Sequence, residues 1–248
     1  MNTKIAHSKL GASNTARWMN CPGSVDATKD YPNTNNIYAA EGTAAHSIVD
    51  REMISGVQMY LDVVREDMRN MSAKQIYAEQ RVDLSKVHKG MFGTSDAILI
   101  NGDYLKVYDF KYGRNVVDVR ENTQALFYAV GALLLMDKKK EVKEIEMVIV
   151  QPRVSDPIKR WTVTRQYLKD WIIPLRNAAQ ATLDENAPRI PGEKQCQFCE
   201  YKPECPELEK FAMEKAMVDF DDDGQINFTE TTMGEDIESK GGVVHGNV

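Results

Sequence analysis

The sequence contains no apolar stretch approaching the roughly 18 residues that cross a bilayer, so no membrane span is expected. Its first residues, MNTKIAHSKLGAS, lack the apolar core of a secretory signal. A cytoplasmic protein is therefore expected. No G-x-x-x-x-G-K-[ST] loop is present, which removes a nucleotide-driven helicase motor from the candidates. No self-similarity occurs at a solenoid period. Cysteine is scarce, four in 248 residues. In a reducing compartment those thiols stay unpaired unless they bind metal.

Positive charge is also in deficit, with a formal net charge of −6. The deficit is local. Residues 219–248 hold eight acids and one lysine, a net −7, leaving +1 for residues 1–218. A near-neutral body with an acidic tail does not exclude an anionic partner, because a basic groove can exist on the body. Apolar residues at 42% and charged residues at 27% are those of an ordinary globular chain.

Periodicity and punctuation give a coarse map. Residues 12–20 read as a short helix stopped by Cys21-Pro22-Gly23. Residues 26–36 read as a loop. Residues 38–70 are largely helical, with an alanine-rich apolar face. Strands are expected at 75–84, 90–100, 103–112 and 143–151, and helices at 121–137, 164–185 and 207–217. Pro174 is a candidate kink. Residues 188–206 hold four prolines and three cysteines and cannot be regular. This order predicts a mixed central sheet flanked by helices, an α/β (α+β) class, in one domain over 1–218. Residues 219–248 are expected to be an acidic, disordered tail.

The chemistry-bearing stretch is the hairpin. Asn101-Gly102 is a strong two-residue turn signal. That turn sets Asp96 opposite Val107 and diagonal to Asp109. Since residues two apart share a face, Asp96, Asp109 and Lys111 would lie together. Cross-strand charge pairing on a wet face is the ordinary explanation of such a D-x-K. Ile98 and Leu105 share the face, however, and a half-buried acid pair is costly unless something compensates it. A hard divalent cation beside Lys111 would do so. Gln124 and Tyr128, four apart on the following helix, share one helix face.

Cys21, Cys196, Cys199 and Cys205 form a lone cysteine followed by C-x2-C-x5-C in a Pro-rich loop. Four thiolates suit tetrahedral Zn²⁺ or one iron–sulfur cluster, and spacing does not choose between them. Residues 219–230, DFDDDGQINFTE, match the calcium-loop pattern D-x-D-x-D-G-x5-E. They lack a convincing exit helix and a second hand. Ca²⁺ there is a candidate, with a solvated acidic tail preferred.

The ordered set Gly42-Thr43-x-x-His46, Gly93-Thr94-Ser95-Asp96, Asp109-Phe110-Lys111 and Gln124-x-x-x-Tyr128 resembles the PD-(D/E)xK nuclease superfamily, within it the RecB-like exonucleases. The resemblance covers roughly residues 10–206 and implies a restriction-endonuclease-like sheet. It implies His46, Asp96 and Asp109 as Mg²⁺ or Mn²⁺ ligands, Lys111 as the catalytic lysine, and Gln124 and Tyr128 as a supporting pair. Glu79 would match a further acid of some members. The cysteine pattern is similar to that of CRISPR-associated and AddB-type nuclease domains, where it holds a [4Fe–4S] cluster. The implied activity is metal-dependent DNA exonuclease action in recombination, repair or phage DNA processing, in a bacterium or phage-infected host. The substrate would be DNA with single-stranded ends, with a recombinase, single-strand-binding protein or helicase as companion. Lys86, Lys89, Arg114, Arg120 and the lysines at 138–140 are candidate DNA contacts. The competing expectation is a non-catalytic nucleic-acid-binding or assembly protein on the same fold.

Overall fold

The structure, a computed structural model, describes residues 8–31, 51–136 and 142–218, with backbone only at 51–53 and 218. The chain divides into two compact units, Met1–Leu208 and Glu209–Val248. The sheet and the candidate site belong to the first. Among the described residues of the second lies the C-terminal part of its helix, and the 219–230 loop is outside the described residues.

The described helices are α1 (Thr15–Asn20), α2 (Ser24–Ala27), α3 (Arg51–Asn70), α4 (Thr123–Leu135), α5 (Arg165–Ala181), α6 (Glu193–Cys196) and α7 (Pro206–Val218). The strands are β1 (Gln75–Asp83), β2 (Phe92–Asn101), β3 (Tyr104–Phe110), β4 (Glu144–Val150) and β5 (Ile158–Thr164). They form one sheet in the order β1-β2-β3-β4-β5. Only β3 and β4 run parallel; every other neighbouring pair is antiparallel. This is the mixed sheet with flanking helices expected from the sequence. No described helix is long and apolar enough to cross a membrane.

Three elements depart from expectation. The segment 188–206, expected to be irregular, forms the short helix α6 and a 3-10 turn at Lys202–Glu204, because its prolines flank these pieces or sit in the first turn rather than interrupting them. β5 goes unpredicted because IKRWTVT carries few apolar residues; as an edge strand only Val163 is fully buried. α2 ends inside the stretch 26–36 expected to be a loop, its last two residues overlapping it.

Alternation divides the sheet into two faces. Ile98, Ile100, Leu105, Val107, Ile145, Met147 and Ile149 point to the larger core, with α4 and with Leu168, Leu175 and Ala179 of α5. α4 is apolar all round, as a helix buried on every side should be, and its residues 125–133 are buried. Gly131 lets it touch β1: a Cβ there would lie 2.5 Å from Val82 Cβ. The opposite face, with Ala97, Leu99, Tyr108, Val148 and Val150, packs on α3 through Val63, Met59, Tyr60 and Val64.

That second face carries charge. Asp67 of α3 is buried and accepts hydrogen bonds from Lys106 Nζ (3.1 Å), Tyr108 Oη (2.9 Å) and Arg160 Nη1 (2.8 Å). Glu146 bridges the same two cations at 2.7 and 3.0 Å. Two acids and two bases cancel, so α3 is fastened to β3, β4 and β5 by a neutral network.

Candidate active site

The β2–β3 turn is tighter in placement than the Asn-Gly signal indicates. Asn101 pairs with Tyr104, so Gly102 and Asp103 are the turn residues. Gly102 takes φ +55° at the first central position, the glycine requirement of a type II′ turn. The register therefore moves by two residues. Asp96 stands across from Asp109 rather than diagonal to it, continuing the pairing from Ala97↔Tyr108. A two-residue shift preserves which face each side chain occupies, so Asp96, Asp109 and Lys111 still share the α4 side.

The ladder stops where the acids begin. The Phe110 amide donates to Asp96 Oδ2 at 2.6 Å instead of to a strand carbonyl. Lys111 Nζ contacts Asp109 Oδ2 at 2.9 Å and donates to Gln124 Oε1 at 2.8 Å. Gln124 Nε2 then donates to Tyr128 Oη at 3.1 Å. Asn122 makes this possible by capping α4: its side chain accepts from the Ala125 amide at 3.0 Å, satisfying a free donor of the first turn. The glycine of the G-T-S-D run serves contact. A Cβ at Gly93 would lie 2.9 Å from Ala12 Cβ and 3.1 Å from Tyr128 Cε1.

Glu79 stands across from Asp96 on the neighbouring strand and is exposed. The pairs Ala78↔Ala97 and Gln80↔Ser95 flank it, so it faces Asp96 in register without being paired to it. Its φ is +47°, a conformation that costs a non-glycine residue about 1–3 kcal/mol and gathers at functional sites.

The electrostatics follow from burial. Asp96 is pushed up to about 6, chiefly by burial and then by the charges of Asp109 and Glu79, while the Phe110 amide and Lys111 oppose the rise. Burial raises the Asp109 carboxyl as well, with Lys111 as its counter-charge. Burial, with the neighbouring acids adding, keeps Tyr128 a phenol. An acid whose folded pKa lies above its unfolded value binds more protons when folded, so stability falls as pH rises through the window from about 4 to 6. Asp96→Asn removes that dependence. In EDTA at pH 7 the variant is expected to be more stable than the parent by on the order of 2 kcal/mol, with the difference vanishing below pH 4. Denaturant melts across this range check it.

Among the described residues, no three His, Cys, Asp or Glu side chains are grouped to hold a metal ion. His46 lies outside the described residues, as do the lysines at 138–140. Lys86, Lys89, Arg114 and Arg120 are exposed. The acid pair itself suits a hard cation that takes one or two carboxylates and completes its shell with water and phosphate.

The cysteines come from distant parts of the chain. Cys21 follows α1 and is buried; its Sγ accepts the Ile190 amide at 3.2 Å. The Gly192 amide donates to Cys196 Sγ at 3.4 Å. Burial raises the Cys21 thiol, and the nearby Cys199 and Cys196 raise it further. Cys205 is raised by burial and contacts Glu207 Oε2 at 3.5 Å. Arg17–Glu200 and the two-pronged Arg189–Glu207 pair hold the same segments together.

Sequence reading missed the Asp67 network, the orientation of Tyr60 and the side chain of Gln151. Gln151 is buried; it donates to Gly113 and Asn115 carbonyls, both at 2.8 Å, and accepts from the Val117 amide at 3.0 Å. It fixes the loop that leaves Lys111. No local pattern marks a glutamine for that task.

Three solved structures are similar in part. One, titled SSO0001, is 14% identical, with a TM-score of 0.44, 84% of this chain and 90% of that chain being covered. An alkaline exonuclease (LHK-Exo) from Laribacter hongkongensis is 11% identical with a TM-score of 0.33, covering 83% of this chain and 97% of that one. The same exonuclease in complex with dAMP gives 11%, 0.33, 83% and 98% in that order. The model of one protein family matches residues 7–51 and 47–243. The chain thus belongs to DUF2800, a family described as of unknown function.

Proposed function

We propose that this chain is a metal-dependent deoxyribonuclease, an exonuclease acting on DNA with single-stranded ends in recombination, repair or phage DNA processing. The observation that carries the reading is the position of Lys111, held between the buried Asp109 and Gln124 beside the half-buried Asp96. A surface charge pair needs none of this support.

Asp96 and Asp109 would hold Mg²⁺ or Mn²⁺, with His46 as the further ligand that the resemblance implies. The fit rests on two facing carboxylates, both raised by burial, whose repulsion a divalent cation relieves. Such an ion lowers the pKa of bound water and neutralises charge developing on the phosphoryl group. Lys111 has three protons. Asp109 and Gln124 take two, and the third is available to a phosphate oxygen or the attacking water. Gln124 and Tyr128 keep the ammonium from swinging towards solvent. In the hydrolysis a water oxygen bonds to phosphorus and the bond to one sugar oxygen breaks. The departing hydroxyl takes up one proton and the other passes to solvent.

The test is degradation of end-labelled single- and double-stranded DNA with Mg²⁺, Mn²⁺ or EDTA. Metal-dependent release of nucleotides supports the reading. Tight DNA binding without cleavage in either metal would replace it with the assembly-protein reading.

Among the described residues the four cysteines do not form a grouped metal site; on the resemblance we assign them to a [4Fe–4S] cluster with a structural role, which would staple α1 to residues 188–206. Thiols raised by burial would need a cationic centre to become thiolates, and the amide donors to Cys21 and Cys196 would be hydrogen bonds of the kind that tune cluster sulfurs. Protein purified without oxygen is expected to be brown, with about four irons and four sulfides per chain. Colourless protein with one zinc would reverse the assignment in favour of Zn²⁺.

A further inference from the structure

We propose that Tyr60 is a substrate-contacting residue of this site, its hydroxyl donating to a phosphate oxygen of the bound nucleic acid. The proposal rests on the nuclease reading and deepens it. No motif marks Tyr60; three facts of placement do.

Its ring leans on Phe110, with centroids 5.5 Å apart and planes at 54°. Phe110 is the residue whose amide binds Asp96. The phenol of α3 therefore sits at the rim of the acid pair, across the strand ends from α4. Its hydroxyl is also closed to solvent and has no hydrogen-bond partner. Two other buried tyrosines have partners, Tyr108 donating to Asp67 and Tyr128 accepting from Gln124. A buried hydroxyl without a partner is costly, and such groups are rare in native proteins. Finally, the charges that bear on Tyr60 are those of Asp96, Glu79 and Asp109; with burial they keep it protonated. It can act as a donor and not as an anion.

A buried donor without an acceptor defines what completes it. The charges of the acids reach the hydroxyl, yet it donates to none of them. The hydroxyl is covered in the free protein, so the missing acceptor arrives with a ligand whose binding uncovers it. A lone anion would be repelled by the acids, whereas a phosphate accompanied by a divalent cation is not. A phosphodiester oxygen is the acceptor that the nuclease reading brings to this place.

The test is Tyr60→Phe, which keeps the ring on Phe110 and removes the donor. Without ligand, the variant should melt at or above the parent temperature, by up to about 2–4 °C, because an unsatisfied group is deleted. With Ca²⁺ in place of the reactive metal, its Kd for a short oligodeoxythymidine should rise about tenfold, the size of one lost hydrogen bond to a charged group. In Mn²⁺ its turnover should fall by a similar or larger factor. Equal Kd and equal turnover in parent and variant would overturn the assignment of Tyr60 and leave the nuclease reading intact. A variant that melts below the parent would also overturn it, since the hydroxyl would then have a structural partner. A parent that neither binds nor cuts the oligonucleotide removes the nuclease reading and this inference with it.

Discussion

Lys111→Ala is expected to lower the metal-dependent DNA turnover by about 100- to 1000-fold, the usual cost of removing one preorganised charge donor from a transition state. Asp109→Ala should lose at least as much. The two losses should not add, because Lys111 Nζ and Asp109 Oδ2 are in contact at 2.9 Å and act as one unit. Lys111→Arg is not a rescue: a planar fork cannot replace a compact ammonium seated between a carboxylate and an amide. Asp109 is almost wholly buried, so deleting Lys111 leaves its charge without a counter-charge and also costs stability. Turnover must therefore be referred to folded protein. Gln124→Ala separates the two effects. It leaves the ion pair, removes the amide that aims it and takes a partner from the buried Tyr128 hydroxyl, so a loss nearer tenfold with only a small fall in melting temperature is expected. Initial rates on end-labelled DNA in Mn²⁺, beside thermal melts of each variant, decide this. Full activity in both Lys111→Ala and Asp109→Ala would remove the catalytic assignment.

Much of this site is legible in the sequence because its logic is parity. The Asn-Gly signal misplaces the turn, since Gly102 and Asp103 occupy the central positions. A slip of two residues nevertheless returns every side chain to its own face. Asp96, Asp109 and Lys111 are thus grouped correctly from an incorrect register, and helical spacing brings Gln124 to Tyr128. What is illegible depends on contacts without local pattern. Glu79 is singled out in the sequence only by the resemblance; its positive φ and its place opposite Asp96 are seen only in the fold. Tyr60 reads as one apolar position of α3. β5 hides because an edge strand buries little and is rich in charge. Cys21 is separated by 169 residues from the amide of Ile190 that binds its sulfur. The lone-cysteine pattern indicates a shared site but no geometry.

Asp67→Ala is expected to destabilise the protein by about 3–5 kcal/mol, the cost of removing one member of a buried ion network. A domain's whole stability is only about 5–15 kcal/mol, so the melting temperature should drop by roughly 10 °C. In the sequence Asp67 is one more charge in a wet-looking run, EDMRN. In the fold it is the acceptor for groups 39, 41 and 93 residues away, Lys106, Tyr108 and Arg160. Burial alone would raise its carboxyl, but hydrogen bonds from Arg160, Lys106 and Tyr108 outweigh burial and hold it below the usual range. A depressed folded pKa contributes stability that is present above the unfolded value near 4 and is lost as pH falls through the folded one. The gap between parent and variant should therefore be full at pH 7 and close only in strong acid. Asp96→Asn has the opposite sign, stabilising at pH 7. Asp67→Asn sharpens the test, because it keeps the shape and removes the charge. It leaves Lys106 and Arg160 facing Glu146 alone, so most of the loss should persist if charge matters and little if packing does. The helix fastened by Asp67 is the one that brings Tyr60 to the acids. At temperatures near its lowered melting point the Asp67 variant should lose turnover ahead of global unfolding, read as a fall in rate before the circular dichroism changes.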